Sequence, residues 1–130
     1  MRTIKFRGKS VVNGVWVFGS LYTPTAISDK SFIIDEDGNI VEVIPSSVGQ
    51  FTGLTDKKGK DIFEGDVVLE RLKCNRKDGD PYEIIFEDCQ WFGRNSYGNK
   101  TGLSLLYDFH ILKIIGNIHD NPELLKGGAE

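Results

Sequence analysis

Apolar and polar residues alternate at the start of the chain. Ile4-Lys5-Phe6-Arg7 puts apolar side chains on one face and basic ones on the other, the pattern of a half-buried strand. Asn13-Gly14 follows, a pair that tolerates positive φ and marks a hairpin turn. From Val15 to Tyr22 the run Val-Trp-Val-Phe-Gly-Ser-Leu-Tyr is almost continuously apolar. It predicts a partner strand covered on both faces, by the protein itself or by another subunit. Trp16 is expected there as a core residue or hairpin anchor. Thr23-Pro24 ends the strand, and a loop is expected as far as Lys30. Ser31-Phe32-Ile33-Ile34 and Ile40-Val41-Glu42-Val43-Ile44 flank the polar run 35–39, which reads as a second hairpin. Pro45 breaks that strand. Ser46-Ser47 is the expected joint between an N-terminal lobe and the rest.

The stretch Gln50 to Val68 is the densest in turn signals. Gly59 closes Asp56-Lys57-Lys58-Gly59, a tight turn whose lysines would point into water. Ile62 and Phe63 are the expected anchor, and Gly65-Asp66 the corner before a strand over 67–73, rich in β-branched residues at its start. The segment 75–81 reads as an exposed polar loop. Tyr82 to Glu87 is the next strand, turned by Asp88-Cys89 into Gln90-Trp91-Phe92-Gly93. Residues Arg94 to Gly102 are rich in glycine and asparagine and read as a loop. Leu103, Leu106, Tyr107, His110 and Ile111 fall at helical spacing, but a short strand fits as well, and irregular structure is the favoured reading. Ile111 to Ile118 is a strand. Asn121-Pro122-Glu123-Leu124-Leu125 fits one helical turn with Asn121 as N-cap and Pro122 first, followed by a frayed tail over 126–130.

Composition fits this picture. Glycine makes up 15 of 130 residues, against a usual share of roughly 7%, which favours many tight turns over long helices. Apolar residues at 39%, with 8 Phe and 2 Trp, suffice for a core. The expected fold is therefore mainly β: a small antiparallel N-terminal lobe over 1–47 and a C-terminal lobe of SH3-like barrel type over 48–125, with at most short helical turns. Together they form a single unit over 1–125. The net charge of −3 argues against a generally basic, nucleic-acid-binding surface. No run approaches the roughly 18 apolar residues of a membrane span. The N-terminus leads directly into an alternating strand, so a cytoplasmic protein is expected. Cys74 and Cys89 are then expected as free thiols, and without a Cys-x-x-Cys spacing they make a poor zinc site.

Three segments carry a family resemblance. Thr52-Gly53-Leu54-x-Asp56-x-x-Gly59-x-x-Ile62-x-x-Gly65-Asp66-x-Val68 resembles the central signature of the YopX family. Ile4-Lys5-Phe6-Arg7-Gly8-Lys9 resembles its opening strand. Ile114-Ile115-Gly116-Asn117-Ile118-His119-Asp120-Asn121-Pro122-Glu123-Leu124 resembles its closing motif. The order of the three is more specific than any one of them. The resemblance implies a protein encoded by bacteriophages or prophages, of unestablished molecular function and without known catalytic residues. It gives no guidance between Leu72 and Leu106.

No catalytic set stands out, and neither a cofactor nor a metal is expected. Phosphate-cradling and nucleophile-elbow motifs are absent from the sequence. Asp35, Asp37 and Asn39 stand at alternate positions, as in a calcium loop. Counting from Asp35, however, the twelfth position is Ser46 where such a loop needs glutamate, and a solvated turn is the simpler reading. His119 and Asp120, with Glu64 or Asp66 nearby, would suit a metal hydrolase. Neighbours on a strand point to opposite faces, though, so they would not cooperate. His110, beside Phe109 and Ile111, reads as an edge residue. A non-enzymatic protein-interaction or assembly module is the leading expectation, with self-association through sheet edges or the Val15–Tyr22 strand and a host or phage protein as partner. The alternative is nucleic-acid binding. Lys57, Lys58 and Lys60 would form a basic turn, joined by Arg76, Lys77, Arg94 and Lys100, with Trp91, Phe92 and Tyr97 stacking on bases.

Overall fold

A computed structural model of the protein describes residues 4–24, 29–72, 81–103 and 110–126. It is mainly β, with two antiparallel sheets. The chain clusters into two compact units, Met1–Gly53 and Leu54–Glu130.

The N-terminal unit holds β1 (Phe6–Lys9), β2 (Trp16–Tyr22), β3 (Ser31–Ile34), β4 (Ile40–Val43) and the start of β5 (Gly49–Thr55). Their order is β4-β3-β2-β1-β5. Beyond its pairing with β2, β1 continues into a bridge between Ser10 and Val43. The Ile44 N–H donates to the Lys9 carbonyl at 2.8 Å, and the Val11 N–H to the Glu42 carbonyl at 3.1 Å. The sheet thus curls back on its own first strand, with Ile33 and Val43 fully buried. Pro45–Ser47 forms one 3-10 turn. Its Ser47 hydroxyl accepts from the Lys9 N–H and donates to the Ile44 carbonyl, which fastens the Ser46-Ser47 segment to β1.

Strand β5 runs past Gly53 into the second unit, followed by β6 (Asp61–Phe63), β7 (Asp66–Leu72), β8 (Pro81–Glu87), β9 (Gln90–Asn95), β10 (Lys100–Gly102), β11 (His110–Asn117) and helix α1 (Glu123–Lys126). The second sheet has the order β10-β9-β8-β7-β11, consistent with the expected SH3-like arrangement. Ile62, Val68, Ile84, Leu103 and Leu112 form its core, with Leu54, Tyr82, Trp91 and Ile114 packed around it. Phe63 is buried as well, as its anchor reading anticipated. A bulge between Ile114 and Gly116 shifts the register of β11 against β7.

Three expectations are corrected and one is narrowed. The 94–102 segment is not a loop. Arg94 and Asn95 complete β9, Lys100–Gly102 form β10, and Arg94 pairs with Lys100 in a further hairpin. The chain itself leaves one face of Val15–Tyr22 open, because Phe18 and Tyr22 are exposed, so of the two expected kinds of cover only another subunit is left for that face. Asn121 does not act through its side chain as N-cap. Its Oδ1 accepts from the Asn117 N–H, while its carbonyl accepts from the Leu124 N–H. His119 and Asp120 do not lie on a strand, since β11 stops at Asn117 and the two residues occupy the turn after it. The expected loop from Asn75 to Asp80, Cys74, residues 104–109 and the tail from Gly127 lie outside the described residues.

Candidate interaction surface

Strand alternation and register together sort the N-terminal sheet into two faces. Leu21, Ile33 and Val41 stand opposite one another across β2, β3 and β4, and Ile33 is fully buried while Leu21 at the β2 end is 36% exposed, so this is the inward face, open at that end. Trp16, Phe18, Ser20 and Tyr22 alternate with it along β2. Tyr22 stands opposite Phe32, Ser20 opposite Ile34, and Ile34 opposite Ile40. The outward face therefore carries Trp16, Phe18, Tyr22, Phe32, Ile34 and Ile40, together with Ser20 and, opposite Phe32, Glu42. Phe18 is 45% exposed, Tyr22 46% and Ile40 63%. The rings of Tyr22 and Phe32 lie 6.2 Å apart. Trp16 is half-buried, with the Arg7 guanidinium over its ring at 4.5 Å and the Lys9 ammonium at 5.9 Å. It anchors the β1–β2 hairpin opposite Lys9, one of the two roles expected for it.

The acidic run beside this face is a structured turn. The Asp35 Oδ1 accepts from the Asp37 and Asn39 N–H groups, and its Oδ2 from the Asn39 side-chain amide. The Asn39 N–H is the main cause holding the Asp35 carboxyl below the usual range. Glu36 and Asp37 are exposed at the tip. No group of three or more His, Cys, Asp or Glu among the described residues has metal-binding geometry.

The residues expected to form a basic, aromatic surface fall into two groups at different places in the second unit. Lys57, Lys58 and Lys60 sit exposed in the turn after β5, and the Lys57 N–H donates to the Leu112 carbonyl of β11. Trp91, Phe92 and Arg94 lie on β9, and Tyr97 in the turn after it. Strands β8 and β7 separate β9 from β11 in the sheet order. Trp91 packs on the core, edge-on to Phe86 at 4.8 Å. Phe92 is half-buried, with the Lys100 ammonium 5.8 Å from its ring. Arg94 pairs with Glu83 at 3.0 Å, and Lys100 with Glu87. That lysine is the main cause holding the Glu87 carboxyl below its usual range. Tyr97 is 67% exposed. The positive charges of the β9–β10 hairpin are thus matched by carboxylates on the neighbouring strand.

Sequence reasoning missed the aromatic outward face of the N-terminal unit. The signal was there, with Trp16, Phe18, Ser20 and Tyr22 on every second position, but Val15, Val17 and Leu21 fill the gaps and hide the period.

The central and closing motifs meet through the backbone. Asp56 is buried, and its Oδ2 accepts from the Ile114 N–H at 3.2 Å. The Ile118 N–H donates to the Gly65 carbonyl at 2.9 Å, and Asp66 pairs with Asn117 across β7 and β11. Asp66 accepts from the Phe63 N–H at 2.8 Å. The Asn117 side chain accepts from the His119 and Asp120 N–H groups and donates to the Asp120 carboxylate. These motif side chains are engaged in turns and strand ends, so they hold the fold. Residues 5–126 match the family model described as YopX protein. The chain belongs to the YopX family. Among solved structures it is similar to the crystal structure of protein EF1440 from Enterococcus faecalis. The two are 26% identical with a TM-score of 0.57, over 96% of this chain and 99% of that one. No curated protein matches it. Among the described residues of this YopX chain, no helix is long and apolar enough to cross a membrane.

Proposed function

We propose that this YopX protein is a non-enzymatic interaction or assembly module of phage or prophage type that associates through the outward face of its N-terminal sheet, with itself or with a host or phage protein. One observation carries the reading. Trp16, Phe18, Tyr22, Phe32, Ile34 and Ile40 share one sheet face, and three of them, Phe18, Tyr22 and Ile40, are exposed. Contiguous apolar surface of this kind costs free energy in water and marks association sites more often than scattered exposed residues do. Aromatic residues also supply much of the binding energy of protein interfaces. The test is light scattering after size exclusion over a concentration series, comparing the protein with a Phe18→Ser, Tyr22→Ser double variant. The native chain should associate and the variant should be monomeric, with both equally folded. A native chain that stays monomeric at high micromolar concentration, or a variant that associates equally well, would sink the proposal for self-association through this face.

A further inference from the structure

Strand β4 lies at one end of the N-terminal sheet order, and its outer side bridges to the end of β1 at Val43 and Ser10. The turn before β4 fixes which main-chain groups point to that side. The Asp35 N–H donates to the Asn39 carbonyl, which makes those two a hydrogen-bonded pair. Along an antiparallel ladder such pairs alternate with pairs that are not bonded. Ile33 with Val41 and Ser31 with Val43 therefore exchange bonds, while Ile40 and Glu42, opposite Ile34 and Phe32, turn their N–H and C=O groups outward. The seam with β1 has the same parity. The Glu42 carbonyl accepts from the Val11 N–H, and the Ile44 N–H donates to the Lys9 carbonyl. Past Val11 the chain leaves β4 through a turn closed by the Gly14 N–H on the Ser10 carbonyl. Among the described residues, no strand covers the outer N–H and C=O of Ile40 or the outer N–H of Glu42. Ile40 is 63% exposed, and Gly38 and Asn39 before it are exposed too.

The side chains along this edge are acidic. Glu36 and Asp37 stand exposed in the turn, and Glu42 follows half-buried on β4. Among the described residues none of them joins an ion pair, whereas Glu83 and Glu87 of the second sheet are paired with Arg94 and Lys100. Lys9 meets β4 at Ile44, past the open segment, and its ammonium lies 5.9 Å from the Trp16 ring. Neither proline nor bulge interrupts Ile40–Val43, so charge is what guards this edge. A second β4 laid against it would set carboxylates against carboxylates, which destabilises a ladder. A strand with basic side chains meets the opposite charge instead.

We propose that the open edge of β4 is a strand-addition site for an extended peptide with basic side chains. Its main chain exchanges hydrogen bonds with Ile40 and offers a carbonyl to the Glu42 N–H. Its lysines or arginines meet Glu36, Asp37 and Glu42, and their aliphatic stems cover Ile40. In such complexes main-chain hydrogen bonds give affinity, and alternate side chains give specificity. The inference rests on the reading of this chain as an interaction module, and adds an edge site with the chemistry of its partner.

Labelled synthetic peptides test it by fluorescence anisotropy with the full chain. One alternates lysine and valine, and one alternates glutamate and valine. Two more are the lysine peptide N-methylated on alternate residues, one in each register. The lysine peptide should bind at least about tenfold more tightly than the glutamate peptide, a gap of about 1.4 kcal/mol. One N-methylated register should lose binding, because it cannot form the main-chain ladder. The lysine peptide should slow hydrogen exchange at the Ile40 and Glu42 amides. A Glu36→Lys, Asp37→Lys, Glu42→Lys variant leaves Asp35 to hold the turn and, with its fold checked by circular dichroism, should reverse the charge preference. Absence of binding, equal binding by both N-methylated registers, unchanged exchange at Ile40, or indifference to the charge reversal would each overturn the proposal. So would a dimer through β4 that excludes the peptide, which would give the edge to a second copy. The Phe18→Ser, Tyr22→Ser variant should bind the peptide as the native chain does, and loss of binding there would move the site to the aromatic face and overturn the proposal. Failure of the peptide with face-dependent association intact refutes this inference alone. If association ignores Phe18 and Tyr22 while the peptide binds, the functional reading above falls instead.

Discussion

The carboxylate of Asp56 joins two distant parts of the sequence. Its Oδ1 accepts from the Lys58 and Lys60 N–H groups at 2.9 Å each, and its Oδ2 accepts from Ile114, on β11. Burial opposes its charge, but the donors from Lys60, Ile114 and Lys58 and the Lys60 ammonium outweigh it, so its pKa is lowered. A lowered carboxyl stabilises the fold in full above its unfolded-state pKa, and that contribution is lost as pH falls through the folded value. Asp56→Ala should therefore lower stability at neutral pH by about 2–4 kcal/mol, since it strips hydrogen bonds to a charged acceptor. The deficit should shrink as the solution is acidified toward and below the usual aspartate range. Urea midpoints of both proteins across pH measure this, and a deficit that is constant or grows in acid would contradict it. The same backbone device recurs at Asp35 and Asn95. In each turn the first residue's N–H donates to the carbonyl of the fifth, and the fourth, a glycine, donates back to the carbonyl of the first. The side-chain oxygen of the first residue accepts from the third and fifth N–H groups. Gly38, Gly59 and Gly98 adopt φ of 85°, 81° and 87°, where a side chain is strained. The pattern Asp/Asn-x-x-Gly was legible at 35 and 56. At 95 it went unrecognised, which is why β10 was missed.

At the scale of elements, β2 decides the N-terminal unit. Its two halves serve two neighbours, and Gly19 sits at the change-over, opposite Phe6 on one side and next to the pairing of Ser20 with Ile34 on the other. A Cβ at Gly19 would fall well inside van der Waals contact of the Ile34 carbonyl oxygen. Backbone atoms cannot swing aside as a flexible side chain can. Gly19→Ala should cost about 3 kcal/mol or more, at the top of the usual range for overpacking. Hydrogen exchange should quicken first in β3 and β4. Native-like protection there would show that β2 and β3 tolerate the extra methyl group. The hairpin at Asp88-Cys89 shows how far composition carries an element. Both residues take positive φ, 52° and 61°, as a two-residue turn of the primed type requires. Strand termination alone placed this turn, without the usual Asn-Gly.

For the whole molecule, the distribution of charge matters more than its sum. The net charge is −3, and in the β9–β10 hairpin Arg94 and Lys100 face Glu83 and Glu87. The exposed lysines of the 57–60 turn lie beside β11, at the other end of that sheet. Nucleic-acid affinity rests on phosphate neutralisation and weakens steeply with salt. The protein should therefore show no salt-sensitive binding to short single- or double-stranded DNA, and replacing Lys57, Lys58 and Lys60 by alanine should leave association through the N-terminal face unchanged. A gel-shift titration at low and moderate salt checks the first claim, and light scattering of the triple variant checks the second. The sequence by itself determined the β class, most strand positions and the turns at Asp56, Asp35 and Asp88, because strand period and turn chemistry act over a few neighbouring residues. It also determined family membership, because the three motifs recur in order. Only the tertiary structure decided which face of β2 meets water, that Asp56 reaches Ile114, and that Trp91 packs on the core away from the lysine turn. Those outcomes depend on which strands become neighbours, and strand pairing is set by contacts between residues far apart in the chain.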